Sequence, residues 1–96
     1  MIEVRQTVVF AKWLHGLRDM MAKARILARI GRLESGNLGD VKPVGEGISE
    51  LRITYGPGYR VYFVQRGKEL IILLAGGDKS SQAKDIRNAK RLAKDL

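Results

Sequence analysis

Cysteine is missing from this chain, histidine occurs once, and acidic residues number 10 against 18 lysines and arginines. Without cysteine there is no disulfide staple and no thiolate metal ligand, a usage that fits a reducing cytoplasm. With His15 alone, a His-based acid/base pair of the common ribonuclease kind cannot be assembled, and a transition-metal site lacks its donors. His15 itself falls opposite the apolar stripe of its helix and reads as a surface residue. No apolar run approaches the roughly 18 residues of a membrane span, and the N-terminus lacks the basic-then-apolar layout of a secretory signal. Gly76-Gly77-Asp78-Lys79-Ser80 resembles a phosphate-binding loop only in part, because Asp78 interrupts the Gly-Lys-Ser run and the leading glycine spacing is absent. The expectation is therefore no metal, no small-molecule cofactor and no membrane.

What remains is positive charge. The net charge is +8 and the isoelectric point about 10.2, which favours a polyanionic partner, either nucleic acid or an acidic protein. At 96 residues, 45% of them hydrophobic, the chain has material for one domain (1–96) around one modest core.

Periodicity divides that domain. Ile2 to Thr7 reads as a short strand. From Phe10 the apolar spacing turns helical, with Phe10, Trp13, Leu14 and Leu17 on one stripe. Asp19 is placed to cap a second helix that runs to about Ser35, with Gly36 to end it. Ile26, Ile30 and Leu33 form its buried stripe, and Arg25, Arg29 and Arg32 repeat the same spacing on a neighbouring face. About two residues join these helices, which suits an antiparallel hairpin. Gly36 to Gly47 reads as a glycine-rich loop in which Pro43 fixes an extended segment. Three antiparallel strands follow, and a last helix capped by Ser80 or Ser81 carries Ile86, Ala89, Ala93 and Leu96 on one side. The apolar run Leu70 to Leu74 should be covered at least partly on both faces. The order β-α-α-β-β-β-α describes a single α+β domain: a helical hairpin packed on one face of a small, largely antiparallel, twisted sheet.

Between Glu50 and Val64 two strands alternate around Gly56-Pro57-Gly58. Reversal about Pro57 sets Leu51 opposite Phe63, Ile53 opposite Val61, Arg52 opposite Tyr62 and Thr54 opposite Arg60. A slip of one residue would send half the apolar set into water. A slip of two would oppose Arg52 to Arg60, a like-charge pair that costs stability. The expected open face is thus Glu50, Arg52, Thr54, Arg60 and Tyr62. Lys79 leaves the neighbouring strand and Lys42 enters the sheet near them. Guanidinium forks hold phosphate in two-point geometry and stabilise the added negative charge of a phosphoryl transition state. Tyr62 would offer a ring for base stacking or a hydroxyl within the site. The Arg25/Arg29/Arg32 stripe reads equally as a solvated helix face or as a contact for RNA backbone.

Five segments, in this order and spacing, carry a resemblance over nearly the whole chain: Phe10 to Leu17 (FAKWLHGL), Ala24 to Leu33 (ARILARIGRL), Gly36 to Gly45 (GNLGDVKPVG), Glu50 to Phe63 (ELRITYGPGYRVYF) and Leu74 to Gln82 (LLAGGDKSSQ). The chain resembles the HigB-like branch of the RelE/ParE superfamily, toxins of bacterial type II toxin–antitoxin addiction modules. The resemblance implies a RelE-like fold and a metal-independent endoribonuclease (an mRNA interferase) that cuts mRNA in the ribosomal A site, inhibits translation and is silenced by a cognate antitoxin. Ribosome, mRNA and antitoxin are then the partners. By motif, Arg60 and Lys79 would stabilise the phosphorane formed by 2′-hydroxyl attack, with Arg52 positioning it or mediating proton transfer. Two positions depart from RelE: its final-helix tyrosine has no counterpart, Asp85 lying near that place, and Glu50 replaces a strand lysine. ParE-like relatives share the fold but poison DNA gyrase, so a gyrase poison and a non-catalytic nucleic-acid-binding module stand as alternatives. Arg52, Arg60 and Lys79 together favour the nuclease.

Overall fold

Thr7 both starts the first helix and ties it to the sheet. In the computed structural model, which describes residues 1–96, its hydroxyl accepts from the Phe10 N–H at 3.1 Å and donates to the Leu74 carbonyl at 2.6 Å. Strand β1 (Glu3–Gln6) thereby passes directly into helix α1 (Val8–Gly16). Asp19 caps helix α2 (Met20–Glu34), accepting from the Met21 and Ala22 N–H groups at 3.0 and 3.1 Å. Gly36, at φ 84°, takes the left-handed turn that ends it and returns its N–H to the Leu33 carbonyl.

Four strands follow: β2 (Val41–Gly45), β3 (Ile48–Ile53), β4 (Tyr59–Arg66) and β5 (Leu70–Asp78). After a short 3-10 turn at Lys79–Ser81 comes helix α3 (Gln82–Lys94). The order across the sheet is β1-β5-β4-β3-β2, with β1 parallel to β5 and every other pair antiparallel. The α+β class holds, with a five-stranded mixed sheet and three helices. The expected loop at 36–47 is corrected in part: Val41–Gly45 pairs with β3 as an edge strand, so the order is β-α-α-β-β-β-β-α. Pro43 is compatible with that place because an edge strand has one row of backbone donors facing away from the ladder.

The sheet has two cores. Helices α1 and α2 cover one face, where Phe10, Ile26 and Leu33 meet Leu51, Ile53, Val61, Phe63, Ile71 and Leu73. Contact between these two helices is sparse, and each rests on the sheet, α1 on β5 and α2 on β1 and β3. On the other face Ala89 of α3 packs with Ile48, Tyr62, Val64 and Leu74, flanked by Ile86 and Ala93. Leu96 lies beyond the helix end and is exposed rather than part of that stripe. Strand β5 therefore sends alternate apolar residues into two different cores, which is what a run apolar on both faces requires. No helix is long and apolar enough to cross a membrane.

The β3–β4 register differs from expectation by two residues. Leu51 pairs with Val61, Ile53 with Tyr59, Glu50 with Tyr62 and Arg52 with Arg60. The pairing is centred on Gly56 rather than Pro57, because the reversal closes with the Gly58 N–H on the Tyr55 carbonyl at 3.1 Å. Gly56 and Gly58, at φ 55° and 81°, supply the positive angles that turn requires. Parity is unchanged by an even slip, so the apolar set still faces its core. The like-charge pair is tolerated because the two arginines diverge, Arg52 to Asp40 and Arg60 to Glu50.

Gly76 shows how closely α1 is laid on β5. A Cβ there would stand 2.2 Å from the Trp13 ring, which also packs against Phe10 and Tyr59 with ring centroids 5.8 and 6.3 Å away. A ring held on both sides cannot retreat cheaply. Gly76→Ala is expected to cost about 1–3 kcal/mol, the usual range for overpacking. Thermal unfolding should show a midpoint lower by at least about 4 °C, and an unchanged midpoint would refute this packing.

Candidate nucleic-acid interface

Helix α3 roofs only half of its face. Its first residue, Gln82, donates to Glu50 Oε2 at 2.6 Å, and near its end Lys90 and Lys94 reach Glu46 at 3.5 and 3.8 Å. It therefore lies over β3 and β4 from Glu50 and Tyr62 to Ile48 and Val64. Arg52 and Arg60, two residues further along each strand, sit beyond its N-terminus. The expected open face is thereby corrected: Glu50 and Tyr62 are buried under α3, and only the half that carries the arginines is uncovered.

Under the roof lies a polar cluster. Glu50 accepts from Gln82 through one oxygen, while Oε1 has no hydrogen-bond partner and lies 3.7 Å from Arg60 Nε. That separation is an ion pair but too long for a hydrogen bond. The Arg60 side chain is 13% exposed and that of Glu50 is 1% exposed, so the pair is largely shielded from water. Arg60 Nη1 reaches the Tyr59 carbonyl at 3.4 Å, and Nε has no hydrogen-bond partner. The Tyr62 hydroxyl is also buried without a partner. Burial, and then the charge of Glu50, raise its pKa far above the ordinary phenol range, so the hydroxyl keeps its proton. Tyr62 accordingly supports the core and offers no open face for base stacking. Asp85 closes the cluster, accepting from the Ser81 hydroxyl and pressed against Gly77, where a Cβ would stand 1.9 Å from Oδ2.

On the uncovered side the structure brings Arg52, Arg60 and Lys79 together. Arg52 and Arg60 are cross-strand partners, and Arg60 in turn pairs with Gly77 of β5. Lys79 follows Asp78, the last residue of β5. A Cβ on Gly58 would lie 3.6 Å from both Arg60 Nη1 and Lys79 Cβ, so the two side chains flank the same turn residue. Arg52 Nη2 and Nε hold Asp40 Oδ1 at 3.1 and 3.3 Å. Both partners are more than a third exposed, and such surface pairs contribute at most about 1 kcal/mol, so a phosphate can take the place of Asp40. Lys42 is exposed on β2 and pairs in register with Glu50, which puts it on the α3 side of the sheet at some remove from the arginines.

Arg25, Arg29 and Arg32 gather on the opposite side of the sheet, at the end where β3 runs into its turn. They line a pocket of about 180 Å³ with Ala28, Ile53 and Thr54. Arg29 is committed to carbonyls, donating to Arg52 at 2.7 Å, Leu38 at 3.3 Å and Asp40 at 3.4 Å. Burial, then the adjacent Arg32 charge, lower its affinity for its proton below the usual arginine value. Arg25 lies over the Tyr55 ring, 4.8 Å from its centroid. Sequence reasoning gave Ser81 only a capping role, which its hydroxyl does not take, placed Asp85 only near the missing tyrosine, and passed over Gln82. The available signal was Glu50, a carboxylate in a strand whose other face is apolar.

One end of the sheet of this α+β domain carries six exposed or partly exposed cations, Arg52, Arg60 and Lys79 on one side and Arg25, Arg29 and Arg32 on the other. Residues 12–96 match the family described as phage derived protein Gp49-like (DUF891). A protein of Haemophilus influenzae described as uncharacterized is 54% identical over 95 residues, covering 99% of this chain and 96% of its own length. The solution structure of a conserved hypothetical protein from Helicobacter pylori shares the fold with a TM-score of 0.55, at 20% identity over 83% of this chain and 97% of that one. The chain belongs to the Gp49-like family, which is toxin-like and associated with toxin–antitoxin modules.

Proposed function

We propose that this chain is the toxin of a type II toxin–antitoxin module and a ribosome-dependent endoribonuclease of the HigB/RelE kind. The observation that supports the reading most is the uncovered half-face on which Arg52, Arg60 and Lys79 meet beyond the N-terminus of α3. In this reading the 2′-hydroxyl oxygen of a bound nucleotide bonds to the adjacent phosphorus and the P–O5′ bond breaks. The hydroxyl proton leaves as the bond forms, and a proton reaches O5′ as it departs. Arg60 and Lys79 carry the extra negative charge of the five-coordinate phosphorus, and Arg52 positions the phosphate after releasing Asp40. The products are a 2′,3′-cyclic phosphate and a 5′-hydroxyl.

Inducing the chain in cells and mapping mRNA 5′ ends tests this. In-frame cuts within translated codons, bearing 5′-hydroxyls, are the expected result. Intact mRNA together with a DNA-damage response would instead identify a gyrase poison, and intact mRNA without one a binding module.

The partner in this reading is a small antitoxin that brings acidic and apolar side chains, drawn in by the +8 charge and held by apolar burial. Inhibition by bulk, with the arginine face left open, predicts that Arg60→Ala changes antitoxin affinity little. Calorimetry on wild type and variant checks this, and a marked loss of affinity would place the antitoxin over the arginines.

A further inference from the structure

The arginine pocket on α2 takes no part in the chemistry just described, and none of its arginines is in an ion pair. No carboxylate lies within 4 Å of a guanidinium nitrogen of Arg25, Arg29 or Arg32, whereas Arg5, Arg52 and Arg60 each have one. Three guanidinium groups in one concavity, with only the more distant Asp40 charge acting on Arg29, repel each other, an arrangement that favours an anion from outside. The groups are also held in place: Arg29 by three carbonyls and Arg25 by the face of Tyr55, whose hydroxyl is itself fixed to Asp19 at 2.9 Å. Thr54 adds a hydroxyl to the lining. A preorganised fork loses little freedom when it binds, which is the advantage of arginine for phosphate.

The pocket and the arginine face lie at the same end of the sheet, on opposite sides of the turn Thr54–Gly58. Arg25, Arg29, Arg32 and Thr54 are on the α2 side; Arg52, Arg60 and Lys79 are on the α3 side. Arg29 links them, since its Nη1 donates to the carbonyl of Arg52. A ligand with one phosphate could occupy only one side. A polymer with regularly spaced phosphates can use both by passing over the turn.

We propose that the Arg25/Arg29/Arg32 pocket binds a backbone phosphate of the same RNA strand, outside the scissile bond, so that the strand wraps the β3–β4 turn. This rests on the RNA-cleaving reading for the identity of the polymer, and its test does not depend on cleavage. The probe is a 2′-O-methylated oligouridylate, which has no free 2′-hydroxyl to attack with, and binding is followed by fluorescence anisotropy across a salt series. Arg25→Ala/Arg32→Ala should weaken binding about 10-fold or more at low salt, as loss of a charge-assisted hydrogen bond implies. The slope of log affinity against log salt should become shallower by about 0.7, the value for one phosphate of a single strand. Arg66→Ala/Arg91→Ala, which removes the same charge from exposed positions elsewhere, should change the slope far less.

An equal loss in both double variants would reduce the pocket to general surface charge and overturn the proposal. So would an unchanged slope, or a loss seen for the antitoxin and not for the oligonucleotide. Arg25 and Arg32 are exposed, so an unchanged melting profile is expected and excludes misfolding as the cause. If the pocket variants bind normally while Arg60→Ala abolishes cleavage, the pocket assignment fails and the nuclease reading stands. If mRNA is left intact but the slope falls as stated, the pocket stands and the nuclease reading fails.

Discussion

Replacing Arg60 with alanine is expected to lower mRNA cleavage by about 10²-fold or more, the scale of losing one preorganised donor to a transition-state anion. Arg60 has the two properties that make such a donor effective. Its side chain is only 13% exposed, so its charge acts where water screens it poorly, and it faces Arg52 across the ladder with Lys79 on the far side of Gly58. Lys79→Ala should approach the same loss. Arg52→Ala should lose less, because its guanidinium is more exposed and shared with Asp40. Arg66→Ala, at the other end of β4, should leave cleavage unchanged. The readout is the rate at which cut 5′ ends appear after induction. Because Arg60→Ala also strips Glu50 of its countercharge, it is read beside its melting profile and beside Arg60→Lys. The lysine variant keeps the charge and loses the fork, so it should fold normally and still cleave poorly. Growth arrest that survives Arg52→Ala, Arg60→Ala and Lys79→Ala together would place the toxic activity elsewhere.

Local chemistry was legible in the sequence where one residue decides one structural event. Asp19 and Gly36 mark the ends of α2 because a capping carboxylate and a positive φ are properties of single positions. Alternation placed Leu51, Ile53, Val61 and Phe63 on one face, and this survived a register error because the slip was of two residues. The register itself was not legible. It depends on which of the residues around Pro57 closes the turn, and the like-charge cost that argued against the true pairing is relieved by Asp40, a residue distant in sequence. Strand β2 was hidden for a similar reason, since Pro43 and its glycines suit a loop until β3 offers an edge. The site divides along the same line. Arg52, Arg60 and Lys79 share one end of the sheet because a hairpin and its neighbouring strand bring their backbones there. Tyr62 was misjudged and the anchoring of Arg29 went unseen, because burial under α3 and three carbonyl contacts are decided by distant segments.

Glu50→Ala should destabilise the fold by about 3–5 kcal/mol, the cost of removing one partner from a buried ion pair. The carboxylate, itself under the roof of α3, is the acidic group paired with Arg60 at the roof's edge, and it also accepts from Gln82 at 2.6 Å. Its loss leaves a shielded guanidinium without a countercharge, an unbonded amide and a cavity beside Tyr62. Against a typical total of 5–15 kcal/mol this is a large fraction, and urea unfolding should show it as a lower midpoint. Glu50→Gln retains a hydrogen-bonding group for Gln82 and fills the space, so it should lose only the charge pairing and fall between the two. The paired change Glu50→Leu with Arg60→Met removes both charges at similar volume. Buried pairs replaced in this way are often no less stable, so the double variant should recover most of the stability while cleavage stays lost. That separation shows what the ion pair is for. If the double variant is as unstable as Glu50→Ala, Glu50 acts through packing and Gln82 rather than through Arg60. If Glu50→Ala unfolds within about 0.5 kcal/mol of wild type, the range of ordinary surface substitutions, Arg60 is solvated and needs no buried partner.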